Sequence, residues 1–308
     1  MRKGIMILLI IGLDACAGLF AQSKEFTRQQ DIVYGMTAGT ALLMDIYRPI
    51  HANHTGVIVI PGSAFGCAYP DTYDTPQLKS DFDLDTAYMS RWTDTLLQQG
   101  YTLFIINHRM APAFRYTDII ADCRRAVRFI RHHATEYKID PGKIAAFGQS
   151  SGANLCALLG VSDDKTAGSE TGVDALSSRV QAVVALAAPF DLTDYDYEED
   201  DHINKDAISY ILQCYLGEES RGDAGSDTRS QHLVDASPYF MVTKDDAPFF
   251  IVASDDDPLI PLRQGRKMYE KLLGEGVSQS QFFIKPREDH YPKPDMKAID
   301  NWLKAVLK

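Results

Sequence analysis

From residue 56 to the C-terminus the chain alternates between two patterns, and this alternation limits its fold more than any other feature. Short runs rich in β-branched and other apolar residues fall at 56–60, 102–106, 143–147, 180–187, 249–253 and 281–285. Most are apolar throughout, as strands covered on both faces must be; a sheet with one wet face would alternate with a period of two. Between them lie stretches with apolar residues three and four apart. In 119–133 these fall at 119, 120, 123, 126, 127 and 130, along one face of a helix. Stretches 151–161, 261–273 and 295–307 read likewise. Parallel strands need crossover connections, and helical crossovers cover both faces of the sheet. The expected class is therefore α/β, a mostly parallel central sheet with helices on both faces.

The front of the chain departs from this rhythm. Residues 26–34 and 41–47 are separated by Gly35-Met36-Thr37-Ala38-Gly39, which predicts an antiparallel hairpin leading the sheet. Residues 67–90, rich in Asp, Tyr and Pro, and residues 190–238, which include a helix pattern around 207–215, read as insertions of the kind that form lids or substrate walls. Tyr69, Tyr73, Tyr88 and Trp92 either stack on a sugar or aromatic acyl group or pack the first insertion on the core. The acidic run 194–201 either holds a cation or is the solvated edge of a lid. No repeat or Pro- or Gly/Ser-rich linker divides the chain, so residues 22–308 are expected to form a single domain.

Residues 1–21 stand apart. Arg2 and Lys3 precede an apolar run over 5–13, then small residues at 16–18 and Phe20-Ala21-Gln22, the order of a secretory signal. The run is too short to span a bilayer, which takes ~20 residues. Cleavage after Ala21 and export, to a periplasm or the medium, are expected. Leu13-Asp14-Ala15-Cys16 loosely resembles a lipoprotein box, so lipidation at Cys16 stays open as an alternative. No later segment reads as a membrane span. The formal net charge of −11 disfavours nucleic acid and anionic membrane as partners. Beyond the signal, Cys67, Cys123, Cys156 and Cys214 are widely spaced, which indicates neither a zinc site nor a redox motif. In an oxidising compartment one pair is able to bond, but spacing does not choose it; otherwise these are small buried apolar side chains.

The local pattern that carries chemistry is Gly148-Gln149-Ser150-Ser151-Gly152, placed between a strand and a helix. A serine at the centre of a sharp strand-to-helix turn is lifted above the sheet, and the glycines two before and two after keep neighbouring chain clear. The turn also sets the next backbone N–H at a helix N-terminus, where it can hold an oxyanion. Ser150 is the candidate nucleophile. A serine alcohol needs a base. Of the 8 histidines, His290 lies close to the C-terminus, on a loop after the last strand at the carboxyl edge of the sheet. The acid that orients it should fall between them, after a strand, where Asp255-Asp256-Asp257-Pro258 follows the run 249–253. Asp257 is chosen with Asp255 as its rival; a solvated acidic loop capping the next helix is the plain alternative. The run 56–60 leads into Pro61-Gly62-Ser63-Ala64-Phe65-Gly66, whose small residues let N–H groups face the site, so Ser63, Ala64 and Ser151 are the expected oxyanion donors.

With these residues in place the chain resembles α/β-hydrolase carboxylesterases of the hormone-sensitive-lipase-like group, and in particular the branch that includes bacterial feruloyl and acetyl-xylan esterases. Leu43-Met-Asp-Ile-Tyr-Arg-Pro49 is similar to the group's opening strand, Asn107-His-Arg-Met-Ala-Pro112 to its Asn-Tyr-Arg-Leu-Ala-Pro element, Asp122 with 124–130 to the helix before the nucleophile strand, and Ile139-Asp-Pro-Gly-Lys-Ile144 to the entry of that strand. Two motifs depart from it. Pro61-Gly62-Ser63-Ala64 stands where the group has His-Gly-Gly-Gly, and Ser150-Ser151-Gly152-Ala153 where it has Ser-Ala-Gly-Gly. The resemblance implies ester hydrolysis through an acyl-enzyme, on small-molecule or acylated-carbohydrate esters, with no metal or cofactor. A peptidase or amidase on the same fold and a non-catalytic binding protein that keeps the fold are the alternatives.

Overall fold

The apolar runs become the strands of one sheet, and their order in it decides where a site can form. In a computed structural model, residues 26–37, 39–67, 87–162, 171–195, 203–217 and 227–308 are described. The expected signal and Cys16 lie outside them, as do Tyr69, Tyr73, His202 and most of the acidic run 194–201. Among the described residues the strands are β1 (Phe26–Thr37), β2 (Thr40–Pro49), β3 (Gly56–Ile60), β4 (Thr102–Ile106), β5 (Ile144–Gln149), β6 (Ala182–Leu186), β7 (Phe249–Ser254) and β8 (Gln281–Lys285). The helices are α1 (Ala87–Gln98), α2 (Tyr116–His132), α3 (Ala134–Tyr137), α4 (Ser151–Val161), α5 (Lys205–Leu216), α6 (Asp227–Asp235), α7 (Leu262–Gly274) and α8 (Met296–Val306). The strand order is β1-β2-β4-β3-β5-β6-β7-β8. β1, β2 and β4 pair antiparallel; from β4 through β8 every pairing is parallel.

Alternation along the buried strands divides the interior into two cores. Ile58, Ile60, Phe104, Ile106, Ala146, Val183 and Ile251 face α2, α4 and α7, while Val57, Val59, Leu103, Ile105, Phe147, Val184 and Val252 face α1 and α8. Strands with both faces covered have no polar face to show, which is why their sequences are apolar throughout. β8 differs because it is the edge strand with one neighbour, and Phe283 and Ile284 stay partly exposed on it. α4 differs in the other direction. It was expected to be two-faced, but all its residues are buried, because the segment 236–241 covers the side turned from the sheet and Asn154 Nδ2 donates to Pro189 O and Ala236 O there. The segment 67–90 ends in the first turn of α1, and Trp92 packs on Phe147 with ring centroids 5.9 Å apart. Of the two roles open to Trp92, packing on the core is the one observed.

The chain switches direction between β3 and β5. From β3 it moves outward to β4 on one side, then returns to lay β5 on the other. Such a switch leaves a crevice at the carboxyl ends of the two strands, where loops leave in opposite directions. Ile60 is level with Gly148, and Gln149 with Leu186, so the loops after β3, β5 and β6 emerge at one edge.

The segment after β4 buttresses that edge. Asn107 Oδ1 accepts the Leu43 N–H at 2.7 Å, and Asn107 O accepts the Tyr34 hydroxyl at 2.6 Å. The Arg109 guanidinium donates to both oxygens of Asp122 on α2, and the Arg109 N–H donates to Asp122 Oδ2 at 2.9 Å. The Ala111 N–H then donates to Phe65 O at 3.0 Å, which holds the loop after β3 from behind. Both partners of the Arg109–Asp122 pair are almost wholly buried, and Asp118 Oδ1 and O also accept from the Arg109 guanidinium, each at 3.1 Å, so removing Asp122 leaves Arg109 with a weaker, more exposed partner. Because Asp118 stays as a partner, Asp122→Ala is expected to lower unfolding stability by about 2–3 kcal/mol, read as a lower urea midpoint with an unchanged m value.

Candidate active site

The turn at the end of β5 is shaped by close approach of backbone. Ser150 has φ 54° and ψ −127°, a conformation that side chains other than glycine adopt only under constraint. A Cβ at Gly152 would lie 2.0 Å from Ile60 O, and one at Gly148 would lie 2.5 Å from Gly152 O. The two glycines therefore let α4 start directly against the end of β3. The Ser150 N–H donates to Leu186 O at 2.9 Å, and Ser150 O accepts from the N–H groups of Ala153 and Asn154, so both sides of the strained residue are held.

His290 and Asp257 arrive from the loops after β8 and β7. Ser150 Oγ is 2.8 Å from His290 Nε2, and His290 Nδ1 is 3.0 and 2.9 Å from the two oxygens of Asp257. The Asp257 side chain is fully enclosed, and its Oδ1 also accepts the N–H groups of Leu259 and Ile260, each at 2.9 Å. A carboxylate only accepts, so His290 Nδ1 carries the proton and Nε2 turns its lone pair to the Ser150 hydroxyl. Asp255 is exposed and serves elsewhere: its Oδ1 accepts the Arg287 N–H at 2.6 Å, pinning the start of the histidine loop. Of the two rival aspartates, Asp257 is the one that meets His290. The remaining histidines that are described stand apart from the site. His108, for example, is buried behind it, and burial depresses its pKa and favours the neutral ring.

The loop after β3 differs from expectation in one donor. The Ser63 N–H was expected to face an oxyanion; it donates instead to Ser151 Oγ at 2.9 Å. The reason lies in the elbow, where α4 abuts β3 so closely that the first helical side chain reaches the loop. The chain then turns through Ala64 and Phe65 at φ 49° and 60°, and the Gly66 N–H closes the turn on Ser63 O at 2.8 Å. The N–H groups of Ala64 and Ser151 have no acceptor among the described residues. They stand beside Ser150, where the α4 N-terminus adds its partial positive charge.

Gln149 is a site residue that sequence reasoning passed over. Its Nε2 donates to His290 O at 2.8 Å, and its Oε1 occupies the space beside Gly62, where a Cβ would meet it at 2.1 Å and Ser150 Cβ at 3.0 Å. One buried amide thus ties the histidine loop to the elbow and leaves the loop after β3 no room for a side chain at 62. Its position between Gly148 and Ser150 was the available signal. Its partner sits on a loop distant in sequence. Among the described residues no group of His, Cys, Asp and Glu is arranged to hold a metal ion, and no helix is long and apolar enough to cross a membrane. Asp194, the start of the acidic run, is paired with Arg263 and Lys267.

Comparison with known proteins agrees with this architecture. The chain is similar in structure to a truncated carbohydrate esterase from gut microbiota, with a TM-score of 0.70, 22% identity and coverage of 92% of this chain and 98% of that one. It is also similar to an acetyl ester-xyloside bifunctional hydrolase from Caldicellulosiruptor lactoaceticus, with a TM-score of 0.67, 18% identity and coverage of 90% and 96%. The fold is that of the α/β-hydrolases. The BD-FAE family model matches residues 44–272, and the chain belongs to that family. In sequence it is similar to LipM, a probable carboxylic ester hydrolase of Mycobacterium tuberculosis, at 26% identity over 253 residues, 81% of this chain and 52% of LipM. Esterase LipC of the same organism is 26% identical over 195 residues, 63% of this chain and 46% of LipC. The chain spans about half the length of these curated relatives.

Losing the Gln149 amide would free the histidine loop without touching Ser150. Gln149→Leu is expected to lower kcat on a short ester roughly fivefold while leaving KM within about twofold, since the bond it removes contributes ~1 kcal/mol to alignment. Steady-state kinetics beside a thermal melt checks this.

Proposed function

We propose that the protein is a serine carboxylesterase acting through an acyl-enzyme, with Ser150 as nucleophile, His290 as general base and acid, and Asp257 as the residue that orients it. The observation that carries this reading is the hydrogen-bonded chain from Ser150 Oγ through His290 to Asp257, with no link longer than 3.0 Å. The Ser150 oxygen attacks the ester carbonyl carbon as its proton passes to His290 Nε2. The tetrahedral oxyanion is held by the N–H groups of Ala64 and Ser151. The imidazolium, stabilised by Asp257, returns its proton to the departing alcohol oxygen, and the acyl group stays on Ser150. Water then repeats the sequence, with His290 taking its proton, and releases the acid.

The substrate class we assign is short-chain or aryl esters, including acyl groups on polysaccharides. A relative named as a probable carboxylic ester hydrolase and structural neighbours named as a carbohydrate esterase and an acetyl ester-xyloside bifunctional hydrolase support it. We further assign residues 1–21 to export, which fits extracellular polysaccharide as substrate. N-terminal sequencing of the secreted chain should begin at Gln22.

The test is hydrolysis of p-nitrophenyl acetate and longer acyl homologues. Ser150→Ala is expected to lower kcat/KM by about 10³-fold or more, and Asp257→Asn by on the order of 10³–10⁴-fold, mostly in kcat, with both variants folded. Equal turnover by wild type and Ser150→Ala would sink the proposal. Amide turnover matching ester turnover would replace the esterase with a peptidase or amidase. A folded wild type inactive on both would leave a binding protein.

A further inference from the structure

Beside the candidate site lies a pair of groups that its chemistry does not use. Cys67 closes the turn formed by Ala64–Gly66, its N–H donating to Ala64 O at 3.0 Å. Cys214 lies on α5, in the insertion between β6 and β7. Both are buried thiols. The two elements meet face on, for the Phe65 ring stacks on the Tyr215 ring with centroids 3.5 Å apart and planes 9° from parallel. That stack aligns the turn with the helix and carries the neighbouring cysteines to the same contact. The Cys214 side chain neighbours the Cys67 thiol and, after burial, helps push its pKa up, and Tyr210, one turn earlier on α5, neighbours both sulfurs.

We infer that Cys67 and Cys214 form a disulfide that staples the loop after β3 to the α5 insertion when the protein folds in an oxidising compartment. The bond needs an oxidant, here a small-molecule disulfide such as oxidised glutathione. The thiolate of one cysteine attacks it, forming a mixed disulfide and releasing one reduced glutathione. The second cysteine, as thiolate, displaces the other glutathione and closes the protein disulfide, and two electrons pass from the protein sulfurs to the oxidant. Burial pushes the Cys67 thiol pKa up, so thiolate is scarce once the chain is folded, and the bond forms during folding, before the contact closes. The other two cysteines, Cys123 on α2 and Cys156 on α4, are also buried and neighbour each other, which makes them the rival pair that the test must separate. The inference is independent of the catalytic reading. Its structural effect is to anchor the loop that carries the Ala64 N–H.

The test is to refold the purified full-length chain in a glutathione redox buffer, block free thiols with iodoacetamide in guanidinium so that buried cysteines react, and map the digested protein by mass spectrometry before and after reduction. The expected result is a linked pair of peptides carrying Cys67 and Cys214, separated by reduction, with Cys123 and Cys156 alkylated. Closing so long a loop is expected to raise Tm by roughly 5–10 °C over the reduced protein. Cys214→Ser, and separately Cys67→Ser, should abolish that difference, while Cys123→Ser should keep it. Folded wild type with Cys67 and Cys214 both alkylated, or with the link between Cys123 and Cys156, would overturn the inference. The wild-type map decides this even if a variant fails to fold.

Discussion

The contact between the start of α4 and the end of β3 is the constraint on which the site depends. Gly152 lies where any side chain would strike Ile60 O, and Gly148 where one would strike Gly152 O. That closeness forces the backbone through Ser150 at φ 54°, a strain of order 1–3 kcal/mol. The strain persists because the surroundings over-determine it. The elbow is held by Leu186 O on one side and by the first turn of α4 on the other, and α4 is buried on every side. Were the helix free to shift, Ser150 would relax and its hydroxyl would leave the line to His290. The same closeness brings the Ser151 hydroxyl within reach of the Ser63 N–H, so the loop that offers Ala64 is positioned by the elbow it serves.

Around that fixed point the site is assembled from loops that share only an edge. Asp257 comes from the end of β7, His290 from beyond β8, and Gln149 draws the histidine loop down onto β5. Parallel pairing makes this possible, because every strand from β4 to β8 ends at the same edge. Two polar ties then set the outer members: the Leu259 and Ile260 N–H groups orient the buried Asp257, and the exposed Asp255 holds the backbone of Arg287. Two aspartates two residues apart thus divide two tasks, one facing the imidazole and one fastening the loop that carries it.

Much of the fold was legible because its signals are local. Continuous apolar strands, the helical spacing over 119–130 and the glycine pair around Ser150 each reflect a constraint acting within a few residues. Spacing alone did not separate Asp257 from its rival Asp255, because both follow the same strand and only their contacts with the distant loop after β8 distinguish them. The same holds for Gln149, whose partner is a backbone oxygen on that distant loop, and for Ser63, whose N–H is claimed by a hydroxyl across the elbow. The exposure of Phe283 and Ile284 was equally hidden, since an apolar run does not say whether its strand has one neighbour or two. Local patterning carried the architecture; contacts between segments far apart in sequence decided the finer assignments.

The most direct measurement of the central claim is covalent labelling of the folded protein with a serine-directed fluorophosphonate, followed by intact-mass analysis and peptide mapping. The account expects one adduct per chain, located on Ser150, slowed by a competing short ester and absent from Ser150→Ala. An adduct on Ser151 or elsewhere, or a folded wild type that takes no label, would contradict it.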